Sequence, residues 1–192
     1  VAQRHVVLVT SGAVAVGRRH VARLGGNGAR PDTLSAKQAL ASVGQPMLMH
    51  LYGEEFAFYG KHVAQLLLTR DDIANRERFL NARNTFRELL TLPGLIPIVN
   101  ENDTVATDEL RFGDNDHLAA LLTTVVGADL LVILSDVRGV YDADPALNPD
   151  AVPIPVAWSD DPALAQVAGG TAAGRDRARR HQHHVALRYV GE

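Results

Sequence analysis

The sequence predicts an α/β fold: a mostly parallel sheet covered by helices. Three observations predict it. Val6-Val7-Leu8-Val9-Thr10 is β-branched and apolar without alternation, the pattern of a strand buried on both faces. Strand-like and helix-like runs then alternate along the chain, which calls for crossover connections. Finally, three strand ends carry polar clusters: Thr10-Ser11-Gly12, Asn100 to Asp103, and Ser135-Asp136. Ligands in such sheets sit beyond the carboxyl ends of the strands.

The elements follow in order. After the first strand, Ser11-Gly12-Ala13 opens a helix-like stretch to about Leu24. Gly25-Gly26-Asn27-Gly28 and Pro31 make a loop. Thr33 or Ser35 can cap the next helix, which runs from about Ala36 to Ala41 or beyond. Gly44 interrupts the pattern without having to end it, and Met47 to Phe58 continues as helix. His62 to Leu68 reads as a second strand and Thr69 to Asp72 as a turn. Asn81 to Leu90 is an amphipathic helix, and Ile96 to Val99 a third strand. A hairpin fits Thr104 to Arg111. Asp114 or Asn115 can cap a helix from about Asp116. Leu130 to Leu134 is a fourth strand, followed by a turn over 135–140 and a loop over 141–145. A buried-type strand begins almost at once, at His5, so further residues are expected upstream.

Composition narrows the function. The chain has 192 residues, 46% hydrophobic and 21% charged, enough for a globular core. Nineteen basic and twenty-two acidic residues leave a net charge of −3, which gives no footprint for nucleic acid or a membrane surface. There is no Cys, hence no disulfide and no thiolate metal site, and a reducing cytoplasm is the expected location. The most apolar stretch, Leu118 to Leu134, is broken by Gly127 and Asp129 and reads as helix, turn and strand rather than as a membrane span.

The polar clusters carry the chemistry. A Ser-Gly pair at a strand-to-helix turn suits either an anion held on free helix N–H groups or a plain N-cap with a packing glycine. Neither G-x-x-x-x-G-K-[ST] nor a well-placed G-x-G-x-x-G occurs, which argues against P-loop and dinucleotide sites. Between Asn100 and Asp116 stand six carboxylates and three asparagines in seventeen residues. They suit a divalent cation, the ammonium of an amino acid, or a solvated loop. In the second case a carboxylate such as Asp103 would take the ammonium and an amide such as Asn115 the carboxylate. EF-hand spacing is missing. Asp136 either bonds a ligand or caps a turn. His181, His183 and His184 lie in an Arg-rich stretch without acidic partners and are not read as metal ligands.

Taken together, "VVLVTSGAVAVG" (6–17), "KQALASVGQ" (37–45), "LLLTRDDIANRERFLNARNT" (66–85), "PIVNENDTVAT" (97–107), "FGDNDHLAALL" (112–122) and "LVILSDVRGVYDADP" (131–145) resemble the amino-acid kinase family, and within it the glutamate 5-kinase branch. The resemblance implies a three-layer α/β/α sandwich, incomplete here. It implies ATP-dependent phosphorylation of the 5-carboxylate of L-glutamate to L-glutamyl 5-phosphate, the first step of proline biosynthesis, with Mg²⁺. Carried over by position, Ser11, Asp103 and Asn115 bind glutamate, and Ser135 and Asp136 contact ATP. Asp116 helps to organise the phosphate-binding lysines and Mg²⁺. The 76–85 segment is implied in contacts of a homo-oligomer and in feedback inhibition by proline.

The sequence departs from that pattern at two places. The family's opening Lys-x-Gly-x-Ser strand is absent, and so is its later Gly-Thr-Gly-Gly-Met/Ile-x-Thr-Lys segment. Only Lys37 and Lys61 occur, and neither matches a phosphate lysine. Residues 1–168 are therefore expected to form a partial kinase domain. Residues 169–192 are expected to be a divergent tail, which a shift of one nucleotide in the reading frame would bring closer to the lost motif. Kinase activity of this chain is expected to be low or nil. A glutamate- or proline-binding remnant of the same fold is the alternative.

Overall fold

The structure, a computed structural model, describes residues 5–25, 33–106, 115–134, 139–145, 147–157 and, as backbone, 184–189. Ten elements lie within these residues: β1 (His5–Val9), α1 (Ala13–Arg23), α2 (Leu34–Ala57), β2 (His62–Leu68), α3 (Arg70–Ala74), α4 (Arg76–Thr91), β3 (Leu95–Glu101), α5 (Asn115–Val126), β4 (Leu130–Leu134) and β5 (His184–Tyr189). The chain divides into two units. One holds residues 1–134 and 183–192, and the other residues 135–182.

The first unit is the expected layered α/β fold. Its sheet runs β2-β3-β1-β5-β4. β1, β2 and β3 are parallel, with Val9 opposite Val99 and Leu66 opposite the same residue. One face of the sheet packs Val7, Val9, Val99, Leu66 and Leu68 against Ala82, Phe86 and Leu90 of α4 and Leu118, Ala119, Leu122 and Val125 of α5. Strand side chains alternate between faces. The other face therefore presents Thr10, Asn100 and Gln65, and these meet Tyr52 and Gln45 of α2.

Several local features differ from the sequence expectation. α2 is one helix of 24 residues, continuous through Gly44 and Pro46, and capped by Thr33, whose hydroxyl accepts from the Ala36 N–H at 3.2 Å. Gly44 is there for packing. A Cβ on it would stand 1.8 Å from the Ala13 carbonyl oxygen, and one on Gly17 would stand 1.9 Å from that of Leu40. The backbones of α1 and α2 thus cross almost in contact. The expected turn at Thr69 is the start of a short helix closed by a capping box between Thr69 and Asp72. α4 starts at Arg76, five residues before the expected Asn81, with the Asn75 side chain as its cap.

β5 is the largest difference. The sequence predicts no strand in the tail, yet His184–Tyr189 supplies one between β1 and β4, antiparallel to both. It covers the edge of β1 that would otherwise be bare. β4 therefore runs in the direction of β1, and its C-terminal end lies at the same edge of the sheet. Leu130, Val132, Ile133 and Leu134 of β4 are exposed. In the second unit, the loop after Gly139 is pinned by a bridge between Tyr141 and Pro153 and by Ile154 N–H donating to Val140 O at 2.8 Å.

Candidate functional site

Because β1 and β3 are parallel neighbours, Thr10-Ser11-Gly12 and Asn100 to Asp103 leave the sheet side by side. Gly12 is the N-cap of α1, in the left-handed region at φ 103°, which explains a glycine there. Ser11 is thus not the cap, and no side chain caps this helix. Its hydroxyl makes no hydrogen bond among the described residues. The first N–H groups of α1 are left pointing out of the turn, as at any helix start.

α5 begins at the same edge. Asn115 is its first residue and does not act as a cap. Its Nδ2 donates to the Thr10 carbonyl oxygen and, at 3.1 Å, to Asn100 Oδ1. One side chain thus ties together the ends of β1 and β3 and the start of α5. Asn100 is buried at 2% exposure, and its Oδ1 also accepts from the Glu101 N–H at 2.9 Å. Its own Nδ2 donates to Gln45 Oε1 at 2.8 Å. Thr10, fully buried, bonds through its hydroxyl to that of Tyr52 at 2.8 Å. Burial pushes the Tyr52 hydroxyl pKa up, and the Thr10 bond offsets part of that.

Asp103 follows Asn100 by three residues, in a tight turn where its N–H donates to Glu101 O at 2.9 Å and the Ala106 N–H donates to Asn102 O at 3.1 Å. The Thr104 hydroxyl donates to Asn102 Oδ1 at 2.6 Å. The rest of the expected hairpin, 107–111, lies outside the described residues. Asp116 sits in the first turn of α5, where its negative charge favours the helix start, and its Oδ1 is buried. Ser135 and Asp136 lie outside the described residues, as do Asp108, Glu109 and Asp114. Of the expected site residues, then, Asn115 is joined directly to the Thr10 end of β1 and to Asn100. Ser11 and Asp103 flank those contacts, and Asp116 adjoins Asn115.

Sequence reasoning did not single out Gln45, Gln65 or Tyr52. Gln45 is an amide buried to 7% exposure beside the close-packed Gly44, and neither its burial nor its partners show in the sequence. Among the described residues, no three His, Asp or Glu side chains cluster as a metal site. No described helix is long and apolar enough to cross a membrane.

The amino acid kinase family matches residues 1–180, which takes in every residue of this convergence. The chain belongs to the amino acid kinase family. Among its relatives is the glutamate 5-kinase of Pseudomonas syringae pv. tomato, 55% identical over 172 residues, or 90% of this chain and 45% of the relative. The glutamate 5-kinases of Pseudomonas savastanoi pv. phaseolicola and Pseudomonas putida W619 are each 54% identical over the same shares. The chain thus spans about half the length (45%) of these amino acid kinases.

Proposed function

We propose that this chain carries the amino-acid-binding part of a glutamate 5-kinase, an enzyme that transfers the γ-phosphoryl group of ATP to the 5-carboxylate of L-glutamate. A carboxylate oxygen forms the new bond to phosphorus, the bond to ADP breaks, and L-glutamyl 5-phosphate leaves. The observation that carries the reading is the 54–55% identity to proteins named glutamate 5-kinase. The convergence of Ser11, Asn100, Asp103 and Asn115 at one sheet edge supports it.

In this reading Ser11 and the N–H groups at the start of α1 hold an anionic group of glutamate, and Asp103 takes its ammonium. Asn115 fixes the turn and completes the pocket. Ser135 and Asp136 contact ATP. Two anions must meet in line, so catalysis rests on positioning and on neutralising charge. Mg²⁺ brought with ATP would supply part of that neutralisation, with Asp116 helping to organise its surroundings. The exposed side of α4, which holds the 76–85 segment, belongs to a homo-oligomer contact and a proline feedback site. The location is cytoplasmic.

A second reading, a glutamate- or proline-binding remnant, is favoured by one observation. The chain has only Lys37 and Lys61, and Lys61 precedes β2 at the edge opposite the strand ends. Two measurements separate the readings. Calorimetry with L-glutamate tests binding, and ATP-dependent phosphorylation, with the product trapped as its hydroxamate, tests turnover. Binding with little or no turnover is the expected result. No binding of glutamate would remove the first reading and leave the second only as a proline-binding remnant, and turnover matching that of a full-length relative would remove the second.

A further inference from the structure

The hydrogen bonds decide which end of the Asn115 amide is left for a ligand. Two backbone groups anchor the row of side chains. The Thr10 carbonyl can only accept, so the Asn115 atom beside it is Nδ2. The Glu101 N–H can only donate, so the Asn100 atom beside it is Oδ1. Asn115 gives its second Nδ2 proton to that same Oδ1. From there the row continues inward. Asn100 Nδ2 donates to Gln45 Oε1 at 2.8 Å, and Gln45 Nε2 donates to Gln65 Oε1 at 2.9 Å. Turning over Asn100 or Asn115 would set oxygen against oxygen or N–H against N–H. Both protons of Asn115 Nδ2 are therefore in use, and its remaining corner is Oδ1, an acceptor.

The inner members hold this arrangement in place. Asn100 is buried and cannot leave its Nδ2 unpaired without cost. Gln45 supplies the acceptor, from a helix fixed against α1 at Gly44. Gln65, exposed on β2, steadies Gln45 from the rim.

We propose that Gln45, steadied by Gln65, is a positioning residue for Asn115: it keeps Asn100 against Asn115, so that the site shows a ligand an amide oxygen. Such a site favours a ligand bearing an N–H donor, an ammonium, over one with acceptors only. The sequence alone suggested the opposite pairing, Asn115 with a carboxylate. The identity of the ammonium ligand rests on the glutamate reading, whereas the row of amides does not.

The test uses the 192-residue chain with Gln45→Leu, Gln45→Glu and Gln65→Leu, and with Ser42→Ala as a control on the same helix. The first readout, free of ligand, is hydrogen exchange of the Asn115 side-chain amide by NMR. Gln45→Leu should speed it by about tenfold, the scale of one lost buried hydrogen bond. Gln45→Glu still accepts from Asn100, and the exposed Gln65 can turn over its amide to donate to the new carboxylate, so exchange should stay near the parent. Gln65→Leu, at an exposed position, should move it in the same direction by a smaller factor, which keeps the test decisive if Gln45→Leu does not fold. The second readout is calorimetry with L-glutamate and with glutarate, the same diacid without the ammonium. Gln45→Leu should weaken glutamate by about tenfold and leave glutarate nearly unchanged. Unchanged exchange at Asn115 in every Leu variant that folds overturns the proposal, as does a parallel loss of both ligands. If the parent binds neither ligand while exchange responds as expected, the positioning role stands and the glutamate reading fails.

Discussion

The hydroxyl of Tyr52 lies 2.8 Å from that of Thr10, so the C-terminal part of α2 is tied to the residue that precedes the Ser11–Gly12 turn. Thr10 is fully buried, and burial raises the Tyr52 pKa above the ordinary tyrosine value. Removing the hydroxyl in Tyr52→Phe should destabilise the fold by about 1 kcal/mol in a urea melt at pH 7. The pH dependence has a definite sign. A raised folded-state pKa means stability that is complete below the unfolded value, about 10, and is lost as pH rises through the folded value. The parent should therefore weaken in that alkaline window more than Tyr52→Phe does. Equal alkaline profiles would show that the Tyr52 hydroxyl is not shielded.

The crossing of α1 and α2 gives a sharper contrast. A Cβ on Gly44 meets the Ala13 carbonyl oxygen at 1.8 Å and the Gly17 nitrogen at 2.5 Å, both backbone atoms that yield only if the helices part. A Cβ on Gly53 meets only a side-chain methyl of Val63 at 3.9 Å, ordinary contact. Gly44→Ala should cost about 1–3 kcal/mol or more as overpacking. Since α1 carries the Ser11–Gly12 turn, it should weaken glutamate binding too. Gly53→Ala, in the same helix, should be neutral or stabilise by up to about 1 kcal/mol. Thermal melts of the two variants, run together, check the pair.

Asp72 offers an acid-side test. Burial alone would raise its pKa, but bonds from the Thr69 hydroxyl and N–H, both 2.7 Å, and the Arg78 guanidinium at 3.2 Å outweigh that and leave it below the ordinary value. Stability from a lowered pKa is present above the unfolded value, about 3.9, and is lost as pH falls through the folded value. Asp72→Asn should cost about 1 kcal/mol at pH 7, mainly through the capping box. Arg78 is 59% exposed and adds little. The gap between parent and variant should narrow from pH 7 to pH 3 in urea melts.

Much of this layout was legible in the sequence, for a physical reason. β1 to β4 are apolar runs long enough to mark themselves, and His62–Leu68 and Leu130–Leu134 match the expected spans. The polar strand ends stood out because a buried sheet has no other use for them. Other features did not show. β5 mixes His184 and Arg188 with apolar residues after an Arg-rich stretch, and its place depends on pairing with strands fifty or more residues away. The short α3 is set by one capping box rather than by periodicity. Gln45 and Tyr52 matter through partners at Asn100 and Thr10, which spacing along the chain does not bring together.

Asn115 separates a site built on hydrogen-bond direction from one built on shape. Asn115→Asp keeps the size of the side chain but, at pH 7, sets a carboxylate against the Thr10 carbonyl and Asn100 Oδ1, where Nδ2 donated before. It also adds a second carboxylate beside Asp116. Asn115→Ala only removes the two donors. The Asp variant should therefore be the less stable, with a cost of about 3 kcal/mol or more against about 1–3 kcal/mol for Ala. Acid should reverse part of the difference. The new carboxyl, raised in pKa by facing acceptors, can donate one bond once protonated, so the Asp variant should gain on the Ala variant as pH falls towards about 4. Urea melts of both variants from pH 7 to pH 4 check this. An Asp variant as stable as the parent at pH 7 would mean that the amide does not bridge β1, β3 and α5 through its donors.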